Sequence, residues 1–391
     1  MDIGEIVLLL IKAFVLANLV MVVFAYMTYT ERRLIGFFQN RLGPNRVGPQ
    51  GLLQPIADLI KLIRKENFRP DSVSAALHMF APFATLFFAI AAFAVIPFGD
   101  GTVSIFGWET TPHMAADNPV AVLFAVAMSG LGGYGIIVGG WASNSKYALL
   151  GAMRACAQLI SYEVSLTLAV LPAVMMASSL SMVDIANASY NPEWSLGGWN
   201  PWFVMWAPIG FAVFCLAALA ESNRAPFDFA EAEQELVAGF HTEYGGLRYA
   251  LFANAEYLHM LSICAMGVTF FFGGWHGPGV ASAWGLGVLY FVLKMAIFLF
   301  IFIWIRATVP RLRYDRLMRF GWKVMLPAAT AQFVAVAVIV AYKGNETVLV
   351  TVMALQWAVV LGLSAIAVVR GGRSRANPLH PAAPATLQGV R

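Results

Sequence analysis

The sequence predicts an all-α, polytopic membrane helix bundle, and three observations carry that reading. Hydrophobic residues make up 60% of the 391-residue chain, charged residues 12%, and the mean hydropathy is +0.71. Such values lie far from those of soluble globular domains. Apolar runs of the length needed to cross about 30 Å of hydrocarbon, roughly 20 residues each, recur along the chain. No period-two alternation points to a barrel, and lipid offers an open backbone no hydrogen-bond partners, so helices are the economical solution.

Nine such segments are expected, at 3–30, 75–97, 119–142, 149–178, 201–221, 249–273, 283–306, 323–342 and 347–369. The first is too long for a signal-peptide core and lacks a small-residue cleavage site, so it is expected to stay. Between the first two spans lie Arg32, Arg33, Arg41, Arg46, Lys61, Arg64, Lys65 and Arg69, and Arg306, Arg311, Arg313, Arg316, Arg319 and Lys323 follow the seventh. The loops 98–118, 179–200 and 274–282 hold no lysine or arginine. The positive-inside rule then predicts an external N-terminus and a cytoplasmic C-terminus, which an odd number of spans also requires. The net charge of +4 is accounted for by these loops, and no nucleic acid is implied.

In loop 31–74, Leu52, Ile56, Leu59, Ile60 and Ile63 recur at helical spacing, with Asp58, Lys61 and Lys65 on the other side. Fourteen residues cannot span, so Leu52–Lys65 is expected to lie as an amphipathic helix at the cytoplasmic interface. It either anchors to lipid or roofs a cavity with Asp58 inward. The preceding "GPNRVGP" predicts a shaped turn.

Several familiar motifs fail on context. "GLGGYG", Gly130–Gly135, matches a dinucleotide fingerprint, but it sits inside an apolar span with Gly135 and Gly139 in small-xxx-small spacing. Close helix packing explains it better. Cys156, Cys215 and Cys264 occupy separate spans, with no C-x-x-C pairing and no H-E-x-x-H. The chain is therefore expected to bind no metal and no redox cofactor of its own.

Ionisable groups inside spans are costly and usually functional. Glu163, Glu256 and Lys294 stand out. A structural Glu–Lys pair would leave one carboxylate over, and a chain of titratable groups accounts for the surplus. The stretch "ESNRAPFDFAEAEQE", Glu221–Glu235, holds five carboxylates in fifteen residues. If helix resumes after Pro226, Asp228, Glu231 and Glu235 share one stripe while Glu233 points away, and the set would titrate cooperatively. Phe227, Phe229, Leu236, Val237 and Phe240 make the same loop apolar. A solvated acidic face is the bland alternative; the wall of a cavity for an amphipathic ligand is the sharper one.

Four stretches carry a resemblance: "ERRLIGFFQNRLGPNRVGPQGLLQPIADLIKLIRKE", "GAMRACAQLISYE", "ESNRAPFDFAEAEQELVAGFHTEYGG" and "WIRATVPRLRYDRLMRFGWK". In this order they resemble the H, or ND1-type, membrane subunit of respiratory complex I (NADH-quinone oxidoreductase), over roughly residues 1–345. The ninth span and the tail from Arg370 are more similar to bacterial forms than to the shorter mitochondrial chain. Arg316 departs from the glutamine common in the family and removes no acid. The resemblance implies a single integral membrane domain in the bacterial inner membrane, with loop 31–74, an acidic quinone-site loop at 221–248 and a flexible tail at 370–391. It also implies a quinone access tunnel lined by Arg32, Phe37, Gln39, Arg41, Asp58, Lys61, Arg224, Phe227 and Arg306. The proton path implied runs from Glu221, Glu231, Glu233 and Glu235 to Glu163 and Glu256, with Asp228 and Lys294 as further candidates. Quinone is the implied substrate. FMN and the iron–sulfur clusters belong to partner subunits: the quinone-reducing and terminal-cluster subunits of the peripheral arm, besides small membrane subunits. The membrane subunit of an energy-converting hydrogenase and a stand-alone proton or cation transporter are the alternatives.

Overall fold

The computed structural model describes residues 3–66, 68–99, 103–105, 108–110, 118–191, 194, 201–229, 237–280 and 284–376. Eight helices among them are long and apolar enough to cross a membrane. They are α1 (Ile3–Phe38), α3 (Ala75–Ala94), α4 (Ala121–Ala142), α5 (Lys146–Ala177), α9 (Gly246–Phe271), α10 (Trp284–Thr308), the continuous stretch Tyr314–Ala341 that ends in α12 (Leu326–Ala341), and α13 (Glu346–Ala376). Between them lie α2 (Gln54–Arg64), α6 (Met182–Ala188), α7 (Phe203–Trp206), α8 (Pro208–Glu221) and α11 (Tyr314–Phe320). A π-helical turn, Gly321–Met325, joins α11 to α12 in one apolar stretch.

Three details depart from expectation. The first span does not end at residue 30: α1 continues for 36 residues, roughly 54 Å at about 1.5 Å per residue. Its last two turns therefore stand clear of a bilayer and carry Glu31, Arg32, Arg33 and Phe37. The segment 201–221 is not one continuous helix but a broken one. Ala207, at φ −131° and ψ 55°, separates α7 from α8. Pro208 is the cause, since its ring disfavours α geometry in the preceding residue and it has no N–H to donate. The fourteen residues of α8 reach only about 21 Å. Loop 98–118 holds a short antiparallel ribbon, β1 (Val103–Ile105) with β2 (Trp108–Thr110), in the register Val103 to Thr110 and Ile105 to Trp108.

Burial is inverted relative to a soluble domain. α5 packs against α4, α8 and α12, and α9 against α3 and α10, with Trp206, Phe203, Phe214, Phe270, Phe271 and Trp275 wholly enclosed. Large apolar side chains cover the outside, among them Leu10, Phe14 and Leu19 of α1 and Leu355, Leu361 and Leu363 of α13. A continuous apolar exterior is stable against hydrocarbon and not against water. The chain is a multi-pass membrane protein.

The glycines of α4 set how closely its neighbours approach. A Cβ on Gly140 would lie 2.3 Å from the Cβ of Ala152 on α5, and one on Gly135 would fall 2.0 Å from Thr85 Oγ1 on α3. The "GLGGYG" run is thus a packing surface, and at Gly130 it also makes room for an acid.

Candidate functional site

The site is assembled around the end of α8. Glu221 is the last residue of that helix, and the chain then turns through Asn223 at φ 49°. The turn is fastened from α5. Gln158 Nε2 donates to the carbonyls of Ala220, at 2.6 Å, and Phe227, at 2.9 Å. One helical turn on, Tyr162 donates to Leu317 O at 2.9 Å and lies 6.1 Å, centroid to centroid, from the Phe227 ring. Leu312 N–H donates to Pro226 O, and the Arg311 guanidinium sits 4.9 Å over the Phe229 ring. Phe227 and Phe229 are buried, so the aromatic residues of this loop act as its anchors. Asp228 is half-buried among them. Glu231, Glu233 and Glu235 lie outside the described residues.

Past that interval the loop is pinned again. A Cβ on Gly151 of α5 would meet Gly239 Cα at 2.7 Å. Tyr244 donates to Gly139 O at 3.2 Å and stacks on His78 at 3.9 Å with rings 1° apart. Burial pushes the Tyr244 hydroxyl well above its ordinary range, so it stays a donor. Arg248 donates to Nδ1 of His78 at 3.0 Å, which leaves Nε2 to donate to Glu243 O at 3.3 Å. Pro226 and Gly239 are thus both held in contact with neighbouring elements.

Next to the turn, α3, α4, α8 and α9 enclose a cavity of about 40 Å³ lined by Thr85, Ser129, Glu221, Asn223, Glu256 and His259 among apolar neighbours. At ~10–15 Å³ per water it has room for about three or four. Glu221 Oε1 accepts from Ser129 Oγ, and lies 3.0 Å from His259 Nε2. Ser129 Oγ is itself 3.3 Å from that nitrogen. Glu221 is only 4% exposed, and its second oxygen meets no donor among the described residues. Glu163 of α5 rests on the neighbouring Gly130, where a Cβ would come within 2.3 Å of its Oε1. It is within electrostatic reach of both Glu221 and His259. Two of the expected acids, Glu221 and Glu256, therefore line one cavity, and Glu163 lies beside it, within electrostatic reach of Glu221.

A second cluster faces the extension of α1. Glu31, 3% exposed, accepts from Arg306 of α10 and from the Tyr257 hydroxyl of α9, and lies 3.6 Å from Arg224 of the turn. Arg224 also covers the Tyr257 ring at 3.9 Å. Next to it, Arg32 donates to Asp58 of α2 at 2.6 Å, and Gln54 donates to the same carboxylate at 3.0 Å. An open cleft of about 410 Å³ lies beside this pair, lined by Arg32, Ile35, Arg41, Leu42, Gly43 and Pro44. Arg41 is braced by Gln39 at 2.8 Å, while Phe37 at 77% and Lys61 are exposed. The apolar stripe of α2, Ile56, Leu59, Ile60 and Ile63, is exposed as well, as is Leu52 just before it.

Lys294 is not brought to the acids. Its ammonium donates to the carbonyls of Phe272, Gly274 and His276 at 2.7, 2.9 and 2.7 Å, with the Trp202 ring 4.9 Å away. Phe272 caps the C-terminal end of α9, thirteen residues beyond His259 and so roughly 20 Å along the helix, and Gly274 and His276 lie in the turn that follows it.

Glu31, Ser129, Gln158 and His259 do not stand out in the sequence as site residues. Glu31 adjoins Arg32 and Arg33 and reads as the polar edge of a span. His259 carries a signal, being an ionisable residue one turn after Glu256, inside an apolar run.

The sequence pattern of the NADH dehydrogenase family matches residues 11–337. One of the H subunits of NADH-quinone oxidoreductase from Geobacter metallireducens is 47% identical over 325 residues, covering 83% of this chain and 94% of that one. The chain belongs to the family of NADH-quinone oxidoreductase H subunits. Other members are an H subunit from Geobacter sulfurreducens, 49% identical over 78% of this chain and 88% of its own, and the H subunit from Protochlamydia amoebophila, 46% identical over 80% and 91%. The four stretches that carry the resemblance lie within the matched residues, and the ionisable residues of both clusters come from them and from α9.

Proposed function

We propose that the chain is the membrane subunit of a proton-pumping NADH:quinone oxidoreductase, in which it guides quinone in from the bilayer and carries the first protonic response to quinone reduction. The observation that carries this reading is the cavity lined by Glu221 and Glu256, with Glu163 in electrostatic reach of Glu221, next to a fastened turn. The turn leads from the cavity at Glu221 to the arginine cluster at Arg224 in three residues. The cleft beside Arg32 and Arg41, walled by Ile35, Leu42 and Pro44, suits an isoprenoid quinone: apolar for the tail, cationic for a reduced headgroup. The reducing centres, FMN and iron–sulfur clusters, are assigned to partner subunits of the peripheral arm, with small membrane subunits alongside.

Reduction of the headgroup takes two electrons and two protons, so negative charge appears transiently beside the cleft. A unit charge about 8 Å from a carboxylate, at an effective dielectric near 20, changes its energy by about 2 kcal/mol. That is enough to redistribute protons among closely coupled acids, but small against the work of pumping. Movement of the 222–246 loop supplies the remainder in this reading. Its interval 230–236, with Glu231, Glu233 and Glu235, would extend the acid chain toward the headgroup.

Glu163→Gln in the assembled complex tests this. Expected are a loss of quinone-linked turnover of about a hundredfold, a typical worth for a proton-transfer group, and normal complex abundance on native gels. Full turnover and full proton translocation in an assembled Glu163→Gln complex would remove the acid cavity from the mechanism. Copurification with a nickel–iron hydrogenase in place of NADH-oxidising subunits would favour the energy-converting hydrogenase instead.

A further inference from the structure

We propose that His259 is a positioning and proton-sharing partner of Glu221, so that the working unit of the cavity is an imidazole–carboxylate pair and not a carboxylate alone. This rests on the reading of the cavity as a proton site. Three observations carry it. His259 Nε2 is 3.0 Å from Glu221 Oε1, a direct path for one proton. Ser129 touches both members, donating to Glu221 and lying 3.3 Å from His259 Nε2, which holds their mutual orientation from a third helix. All three line one enclosed cavity.

The chemistry follows from charge balance. The pair has two forms: carboxylate with imidazolium, and carboxylic acid with neutral imidazole. One proton moves from Nε2 to Oε1 between them, the N–H bond breaking as the O–H bond forms. Neither form changes the net charge of the pair, so the shift avoids the cost of creating an isolated charge in a low-dielectric interior. An isolated carboxylate has no such option. The groups facing His259 are Glu221 from α8, Glu163 from α5 and Glu256 from its own helix; α3 and α4 contribute Thr85 and Ser129, which do not titrate. Among the described residues, the titratable groups facing the pair are thus carboxyl groups, which can take up or return its proton.

The test uses the whole complex in its native membrane, with decylubiquinone as acceptor and ferricyanide as an acceptor that bypasses quinone. His259→Gln keeps a hydrogen bond to Glu221 but cannot carry a proton. It is expected to lower kcat about a hundredfold, to leave the KM for decylubiquinone unchanged, to alter the pH profile of turnover, and to spare ferricyanide reduction. A normal rate and an unchanged pH profile would overturn the proposal, as would a change confined to KM. Should His259→Gln fail to assemble, Ser129→Ala carries the test: a lowered kcat with an altered pH profile is expected, and wild-type behaviour overturns it. Glu221→Gln separates this inference from the broader one. If Glu221→Gln inactivates while His259→Gln is silent, only the pair is wrong; if assembled Glu221→Gln is silent, the cavity has no part in coupling.

Discussion

At the scale of single residues, two buried carboxylates have opposite surroundings. Glu31 is neutralised by Arg306 and has Arg224 and a tyrosine hydroxyl beside it, an arrangement that fixes geometry. Glu221 has a histidine, a serine and space for water, an arrangement that permits a proton to move. Gly130 marks the boundary of that space. In Gly130→Ala the new Cβ would overlap Glu163 Oε1 at 2.3 Å, and because the carboxylate is the far end of a flexible side chain, it will swing away. The variant should assemble in normal amounts with quinone-linked turnover lowered about tenfold to a hundredfold, the scale at which an ångström of misplacement is felt. Activity assays on membranes, normalised to complex content, decide it. The acids Glu163, Glu221 and Glu256 were legible in the sequence because charge inside or at the end of an apolar run stands out. Glu31 was not: what buries it is a contact with Arg306, 275 residues away, and no local pattern announces such a meeting.

At the scale of elements, the division between helices that carry chemistry and helices that carry structure is visible in Lys294. A lysine inside an apolar span invites a role beside the buried acids, yet all three of its N–H donors go to carbonyls at the end of α9. Phe272 is the C-cap of that helix, whose last carbonyls have no partner within it, Gly274 and His276 lie in the turn that follows, and a cation there also meets the negative end of the helix dipole. Lys294→Met should therefore lower the thermal stability of the complex, by about 3 kcal/mol for the carbonyls left without a donor, while the quinone kinetics of the assembled fraction stay normal. Scanning calorimetry beside turnover measurements separates the two effects. The broken helix at Ala207 was readable in retrospect from Pro208 in "WAPIG"; an apolar count over the segment masks a backbone rule. The amphipathic α2 was readable outright, since its period of 3.6 is a property of the segment alone.

At the scale of the whole molecule, most of the bundle followed from run length and charge placement, because both respond to the bilayer and not to any particular neighbour. How far the turns and clefts are shaped by neighbours was not readable, since α5 reaches the 219–229 turn, α8 and α12 at once. Orientation has a direct check. Gly344, in the exposed turn between α12 and α13, should react as Gly344→Cys with a membrane-impermeant maleimide from outside the cell. Leu42→Cys, in the exposed loop after α1, should react only from the cytoplasm, and the reverse pattern would invert the positive-inside assignment. The single rod α5 has one more implication. Gln158 and Tyr162 grip the turn and the α11 segment through backbone carbonyls, and Glu163 is the very next residue. Within one helical turn there is no slack to absorb a pull, so any stroke of that loop arrives at the acid as a rotation or a slide. Coupling over this interval needs no relay of intermediate side chains; the lever and its load sit on the same stretch of backbone.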